Sequence, residues 1–173
     1  VTTTNRTSYT LDNADVRELT AMLEPASDFY RVEKIDRKTK NDGAWLSFPS
    51  VSLFSSTANA DLTEFFKTFG CEASTNAYSI TGSTPFVDSL LSVYPDEQWN
   101  RTELSFVGQS GDVWLYENPC VLPLGFMIPQ AMDLDWNLEA ENPADVQNQL
   151  SDLLNVPYML IDMPGEYNGN TFT

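Results

Sequence analysis

The sequence contains no histidine. That absence removes serine–histidine and cysteine–histidine dyads, histidine general bases and histidine metal ligands from the chemistry open to these 173 residues. Basic residues are scarce, 9 against 25 acidic ones, for a formal net charge of −16. A surface this acidic repels phosphate backbones, which speaks against nucleic acid as a partner, and it disfavours adsorption to anionic lipid. The densest group of cations is Arg31, Lys34, Arg37, Lys38 and Lys40, the one stretch where a phosphate or an anionic headgroup has somewhere to dock. Only two cysteines occur, Cys71 and Cys120. One bridge or two buried thiols are both open, and a domain of this length needs no staple, so thiols are the expectation. Long apolar runs are missing too. A bilayer span needs about 20 apolar residues; the uncharged run 43–60 is broken up by serines, Thr57, Asn59 and Pro49, and the run 118–132 is interrupted by Pro119, Pro123 and Pro129. No signal-peptide pattern opens the chain, and it starts at Val1, which reads as trimmed ends. No Gly-rich phosphate loop, CxxC or GxSxG occurs.

What is present describes a folded domain. Hydrophobic residues make up 42% and aromatics 12%, enough for a real core. No internal repeat or linker splits the chain, so one domain over 1–173 is expected, with 1–11 and 163–173 loose. A helix over about 13–24 is capped by Asp12 or Asn13 and carries Val16, Leu19, Met22 and Leu23 on one face. Residues 29–35 and 50–55 read as strands, with a polar turn over 38–43 between them. Asn59 caps a second helix whose Leu62, Phe65, Phe66 and Phe69 recur at helical spacing and which Gly70 ends. Pro85 opens a short helix, and Pro143 opens the last one, with Val146, Leu150, Leu153 and Leu154 inside. Residues 104–107 and 113–117 form a hairpin around the loop 108–111, and 124–128 and 158–161 are further strand candidates. Helices and strands mix without a βαβ repeat. The expected class is α+β, a mostly antiparallel sheet with three to four helices packed on it.

Short motifs have bland explanations beside their functional ones. Asp133-Leu134-Asp135 has the DxD spacing some sugar-nucleotide enzymes use for a metal, but alternating acids are usually only solvated. Asp12-Asn13-Ala14-Asp15 begins like a calcium loop and lacks its Gly and distal Glu; a helix cap accounts for it. With 25 acids, a carboxylate pair suited to glycoside hydrolysis arises by chance, and none is singled out. No catalytic residue, metal or cofactor is therefore assigned. Aromatics offer stacking faces for sugar rings, against core packing as the ordinary role. Trp45 and Trp99 lie in polar, loop-like contexts and are the expected exposed pair. Asn5-Arg6-Thr7 and Asn100-Arg101-Thr102 match the glycosylation sequon, a short pattern for which chance is the ordinary reading.

Five stretches, in order, carry a resemblance. They are Phe29-Tyr30-Arg31-Val32-Glu33-Lys34 with Asn41-Asp42-Gly43; Ser52-Leu53-Phe54-Ser55-Ser56-Thr57; Gly82 to Leu91; Tyr116-Glu117-Asn118-Pro119 with Leu122-Pro123-Leu124-Gly125-Phe126; and Asn142-Pro143 with Gln147-Asn148-Gln149-Leu150. Over residues 29–154 the chain resembles the YfhO family of bacterial membrane proteins. That family looks like polytopic glycosyltransferases of the GT-C type, which take sugar from a polyprenyl-phosphate donor on the outer face of the membrane. Some members are tied to glycosylation of lipoteichoic acid. The resemblance implies an extracytoplasmic domain that partners the transmembrane part of its own parent chain and meets a glycan or a polyprenyl-phosphate sugar. The catalytic acid of such enzymes lies among transmembrane helices that these residues do not contain. Arg31, Asn41, Asp42, Asp88 and Glu117 are the matching polar residues and the contact candidates. Their structural alternative is that Asp42-Gly43 and Asn118-Pro119 form turns and that Arg31 and Glu33 pair across strands. One departure stands out. Relatives continue beyond Leu91 with a Gly-Val-Lys-Tyr-like strand, and this chain reads Ser92-Val93-Tyr94-Pro95-Asp96. Pro95 cannot donate to a ladder, so the strand should be shortened or displaced.

Overall fold

A computed structural model describes residues 5–23, 29–94, 104–119, 121–122 and 142–154. In chain order the elements are α1 (Arg6–Thr10), α2 (Asn13–Met22), β1 (Arg31–Val32), α3 (Asp42–Leu46), β2 (Leu53–Phe54), α4 (Ala60–Thr68), β3 (Ala73–Ser74), β4 (Ala77–Tyr78), α5 (Pro85–Leu90), β5 (Val93–Tyr94), β6 (Ser105–Ser110), β7 (Val113–Glu117) and α6 (Pro143–Leu153). The class is α+β. The strands do not join one sheet. β2-β4-β3 and β6-β7 are separate antiparallel sheets, and β1 pairs with β5 in parallel, Arg31 opposite Val93. β5 is described over Val93–Tyr94, and Pro95 lies outside the described residues.

Helix ends follow local chemistry. The Asn59 side chain accepts from the Asp61 and Leu62 amides, Thr84 from Val87, and Asn142 from Ala144, and Pro85 and Pro143 each sit in a first turn where no amide is required. Asp12 behaves differently: it precedes α2 in a left-handed conformation with no side-chain cap bond. The Thr-rich segment expected to be loose contains α1, capped by Asn5. The polar turn expected over 38–43 runs into α3. The hairpin loop is Gly111-Asp112 rather than 108–111, and Gly108 lies in β6 beside a register shift. The strand candidates at 124–128 and 158–161 lie outside the described residues, as do residues 163–173.

Two cores form. The larger packs Phe66, Phe69, Tyr78, Phe86, Val87 and Val146 between α4, α5, α6 and the three-stranded sheet. Phe66 stacks on Tyr78 at 4.6 Å between ring centroids, and Phe69 is fully buried. Leu62, expected on that face, is exposed, and Thr63 takes the inward position. Gln147 fixes the helix junction: its amide donates to the Phe69 carbonyl at 2.9 Å, and Thr84 donates to its oxygen. The smaller core joins Val16 of α2 to Val32, Leu46 and Phe48. Ser92 enters β5 with φ +54, and its hydroxyl donates to the Leu122 carbonyl at 2.7 Å.

Gly82 (φ +85) leaves no room for a side chain. A Cβ there would lie 2.8 Å from the Gly70 carbonyl oxygen. Gly82→Ala should lower stability by about 3 kcal/mol, summing left-handed strain and a backbone clash. Urea unfolding checks this; a loss within about 0.5 kcal/mol, ordinary for a surface change, would contradict it.

Candidate functional site

The residues following β1 build the site's frame. The Glu33 side chain is 1% exposed, which for a carboxylate requires full compensation. It accepts from the Ser50 hydroxyl and the Val51 amide at 2.6 Å, and from the Ser52 amide and hydroxyl at 2.8 Å. Arg37 faces it at 3.6 Å and donates to the Ser52, Ser79 and Thr81 hydroxyls. Five residues beyond Arg37, the Asp42 carboxylate folds the chain back on itself. It is buried and accepts from the Lys38 and Thr39 amides at 2.8 and 2.9 Å and from the Thr39 hydroxyl at 3.1 Å. The Asn41 amide pairs with Phe54 as a strand neighbour does: Nδ2 donates to its carbonyl and Oδ1 accepts from its amide, both at 2.9 Å.

These bonds present a cleft of about 510 Å³ lined by Tyr9, Thr39, Lys40, Asn41, Trp45 and Phe54. Tyr9 stacks on Trp45 with ring centroids 4.9 Å apart. Trp45 remains 37% exposed and Phe54 55%. Lys40 ion-pairs with Glu72, whose carboxylate also accepts from Ser79 at 2.6 Å. Those bonds, the Lys40 bond first, hold the Glu72 carboxyl below its usual range.

Of the residues singled out from sequence, the fold brings Asn41 and Trp45 into this cleft and places Asp42 just behind it. The others lie elsewhere. Arg31 donates to the Leu91 carbonyl and lies over the Phe29 ring at 4.5 Å; burial lowers its pKa, with Glu33 opposing. Its expected cross-strand partnership with Glu33 is replaced by Glu33–Arg37, because Arg31 and Glu33 follow one another on the same segment. Asp88 is buried in α5 and accepts from Ser83 at 2.7 Å. Glu117 is exposed at the end of β7, opposite Ser105. Trp99, Asp133, Asp135 and Cys120 lie outside the described residues. The basic stretch offers no free patch: besides Arg31, Arg37 and Lys40, Lys34 donates to the Asp36 carbonyl and Lys38 pairs with Asp36 at 3.5 Å. Tyr9 and Phe54 went unnoticed in sequence, because nothing local to 9 or 54 says that the chain will bring them to Trp45. Trp114 and Phe106, ring centroids 6.0 Å apart, form a second exposed aromatic pair on β6-β7.

The cleft therefore offers aromatic faces with one neutralised cation beside them. Among the described residues no cluster suits a metal ion, and no helix is long and apolar enough to cross a membrane. The model of the bacterial membrane protein YfhO family matches residues 2–157. The chain belongs to that family. Comparison with curated proteins and with solved structures gives no match. The YfhO match runs through every element described above, so the cleft is part of the region that defines membership.

Two outcomes follow for the frame. Glu33→Ala should cost about 3–5 kcal/mol by leaving Arg37 without its buried counter-charge, read by urea unfolding; a near-neutral change would show that the carboxylate is not holding the 50–52 loop. Cys71 is a buried free thiol that burial, with Asp88 adding to it, pushes up to about 12. A folded-state pKa above the unfolded value of about 8.5 gives stability that is complete below pH 8.5 and is lost as pH rises toward 12. Unfolding free energy should fall by up to about 1.4 kcal/mol per pH unit above 9, and Cys71→Ala should flatten that slope. Tyr78, also raised by burial, adds to it only above about pH 10.

Proposed function

We propose that this chain is an extracytoplasmic accessory domain of a polytopic bacterial membrane glycosyltransferase that acts on cell-envelope polymers such as lipoteichoic acid, and that it positions the acceptor. Its partner is the transmembrane part of its own parent, which supplies the catalytic centre and the polyprenyl-phosphate sugar. Family membership supports the membrane setting. The observation that carries the acceptor role is the cleft at Tyr9, Trp45 and Phe54, where the exposed Trp45 and Phe54 rings suit the apolar faces of a sugar. The buried carboxylates Asp42 and Asp88 serve this role indirectly, by holding the loops that shape the domain.

The same rings favour a second reading, a carbohydrate-binding domain with no part in transfer. One variant of the full-length protein separates the two. Trp45→Ala should reduce envelope-polymer glycosylation in cells several-fold at unchanged protein level, because the residue is a surface ring with little to contribute to folding. Loss of glycan binding with normal glycosylation would select the second reading. Normal binding and normal glycosylation together would remove the cleft from both.

A further inference from the structure

We infer that the cleft is built for an uncharged sugar ring rather than for the phosphate of an envelope polymer, and that Glu72, which does not line it, sets that choice. The inference rests on the glycan-binding reading and adds to it the ligand's charge class and a specificity-determining residue.

Phosphate recognition needs free cations, bidentate guanidinium groups or unoccupied backbone N–H donors. The lining of this cleft has one cation, Lys40, and its ammonium is held by Glu72. Glu72 is itself fixed from behind by the Ser79 hydroxyl at 2.6 Å, and Arg37 donates to that same hydroxyl. The carboxylate thus stays beside Lys40 as a charged partner. Two other polar side chains of the lining are already committed. Both ends of the Asn41 amide are used on the Phe54 backbone, and Thr39 donates to Asp42 while accepting from the Asn41 amide nitrogen. Arg17 reaches the Trp45 carbonyl at 3.0 Å but does not line the cleft. What the cleft turns outward is therefore aromatic surface, which gains from C–H faces and nothing from a phosphate. The net charge of −16 adds a long-range repulsion against any polyanion.

The test uses the full-length protein in detergent, with methyl β-glucopyranoside and glycerol phosphate as probes and binding followed by isothermal titration. The wild type should bind the pyranoside and leave glycerol phosphate at least about tenfold weaker, a gap of about 1.4 kcal/mol. Glu72→Gln keeps an acceptor for Ser79 and Lys40 but frees the ammonium charge. It should bring glycerol phosphate up to within about twofold of the pyranoside, less than about 0.5 kcal/mol apart, with pyranoside binding unchanged. Adding Lys40→Met to Glu72→Gln should abolish the gain, which excludes a general change in folding. If the wild type prefers glycerol phosphate, or if Glu72→Gln leaves the ratio of the two affinities where it was, the inference is wrong while glycan binding stands. If the wild type and Trp45→Ala alike bind no pyranoside, the glycan-binding reading falls and takes the inference with it.

Discussion

A buried carboxylate at Glu33 is the constraint on which the arrangement turns. β1, β2, β3, β4 and β5 are each two residues long, too short for ladder bonds alone to fix which segment lies beside which. Side chains supply what the ladders lack. Glu33 gathers the 50–52 loop through four bonds, and Arg37 extends that grip to Ser79 and Thr81 beyond β4. Asn41 adds a strand-like pair to β2. Removing a carboxylate of this kind costs more than its bonds are worth, because the half-buried Arg37 guanidinium loses the counter-charge that faces it at 3.6 Å. Acid-base pairs here are scaffold first, and the placement of Lys40, Asn41 and Trp45 follows from them.

That view explains what the family resemblance carries. The five stretches that bear it are wired to one another. Glu33 of the first holds Ser52 of the second, Asn41 of the first pairs with Phe54 of the second, and Thr84 of the third meets Gln147 of the fifth. Within the third, Ser83 donates to Asp88. Most polar residues of the shared pattern thus spend their hydrogen bonds inside the domain. Resemblance in such residues testifies to a common fold in a common membrane setting. The exposed rings that line the cleft are a separate set, and only Trp45 and Phe54 lie in or near the matching stretches.

Helices were legible in the sequence because their signals are local. Asn59, Thr84 and Asn142 cap, Pro85 and Pro143 open first turns, and spacing marks the inward face. Strands two residues long carry no such period: β1 and β2 lie inside the expected strands 29–35 and 50–55 but are far shorter, β3 and β4 went unnoticed, and in the β6-β7 hairpin the turn was misplaced. Glycine explains both main errors. Gly43 beside Asp42 looks like a turn, yet it lies inside α3, where a Cβ would come 2.5 Å from the Ser50 Cβ. Gly108 looks like the start of a hairpin loop, yet it lies in β6 and a Cβ there would touch Leu19 of α2 at 3.4 Å. At Gly43 glycine answers a close approach from a distant segment rather than a need for unusual backbone angles, whereas at Gly108 a Cβ would meet only ordinary contacts. No single-sequence pattern distinguishes those two causes. The cleft was half legible for the same reason: Asn41 and Trp45 stand out where they are, whereas Tyr9 and Phe54 become partners only after folding.

Charge draws the remaining line between what the sequence suggested and what the fold does. The run from Arg31 to Lys40 read as the chain's one anion-binding stretch, but each cation in it is bound to a carboxylate, a carbonyl or both a hydroxyl and a carboxylate. The positive charge therefore has little reach outward, and the surplus of acids dominates the surrounding field. A domain so charged meets an anionic polymer against a repulsion that salt screens within about 8 Å at physiological ionic strength. Attraction has to come from short-range contact instead, and in the cleft short-range contact means the exposed rings of Trp45 and Phe54. On the proposed reading, such a surface releases a polyanion unless it presents a sugar face to stack on. That is the behaviour a positioning domain needs if it is to register the sugar-bearing units of a polymer and slide past the rest.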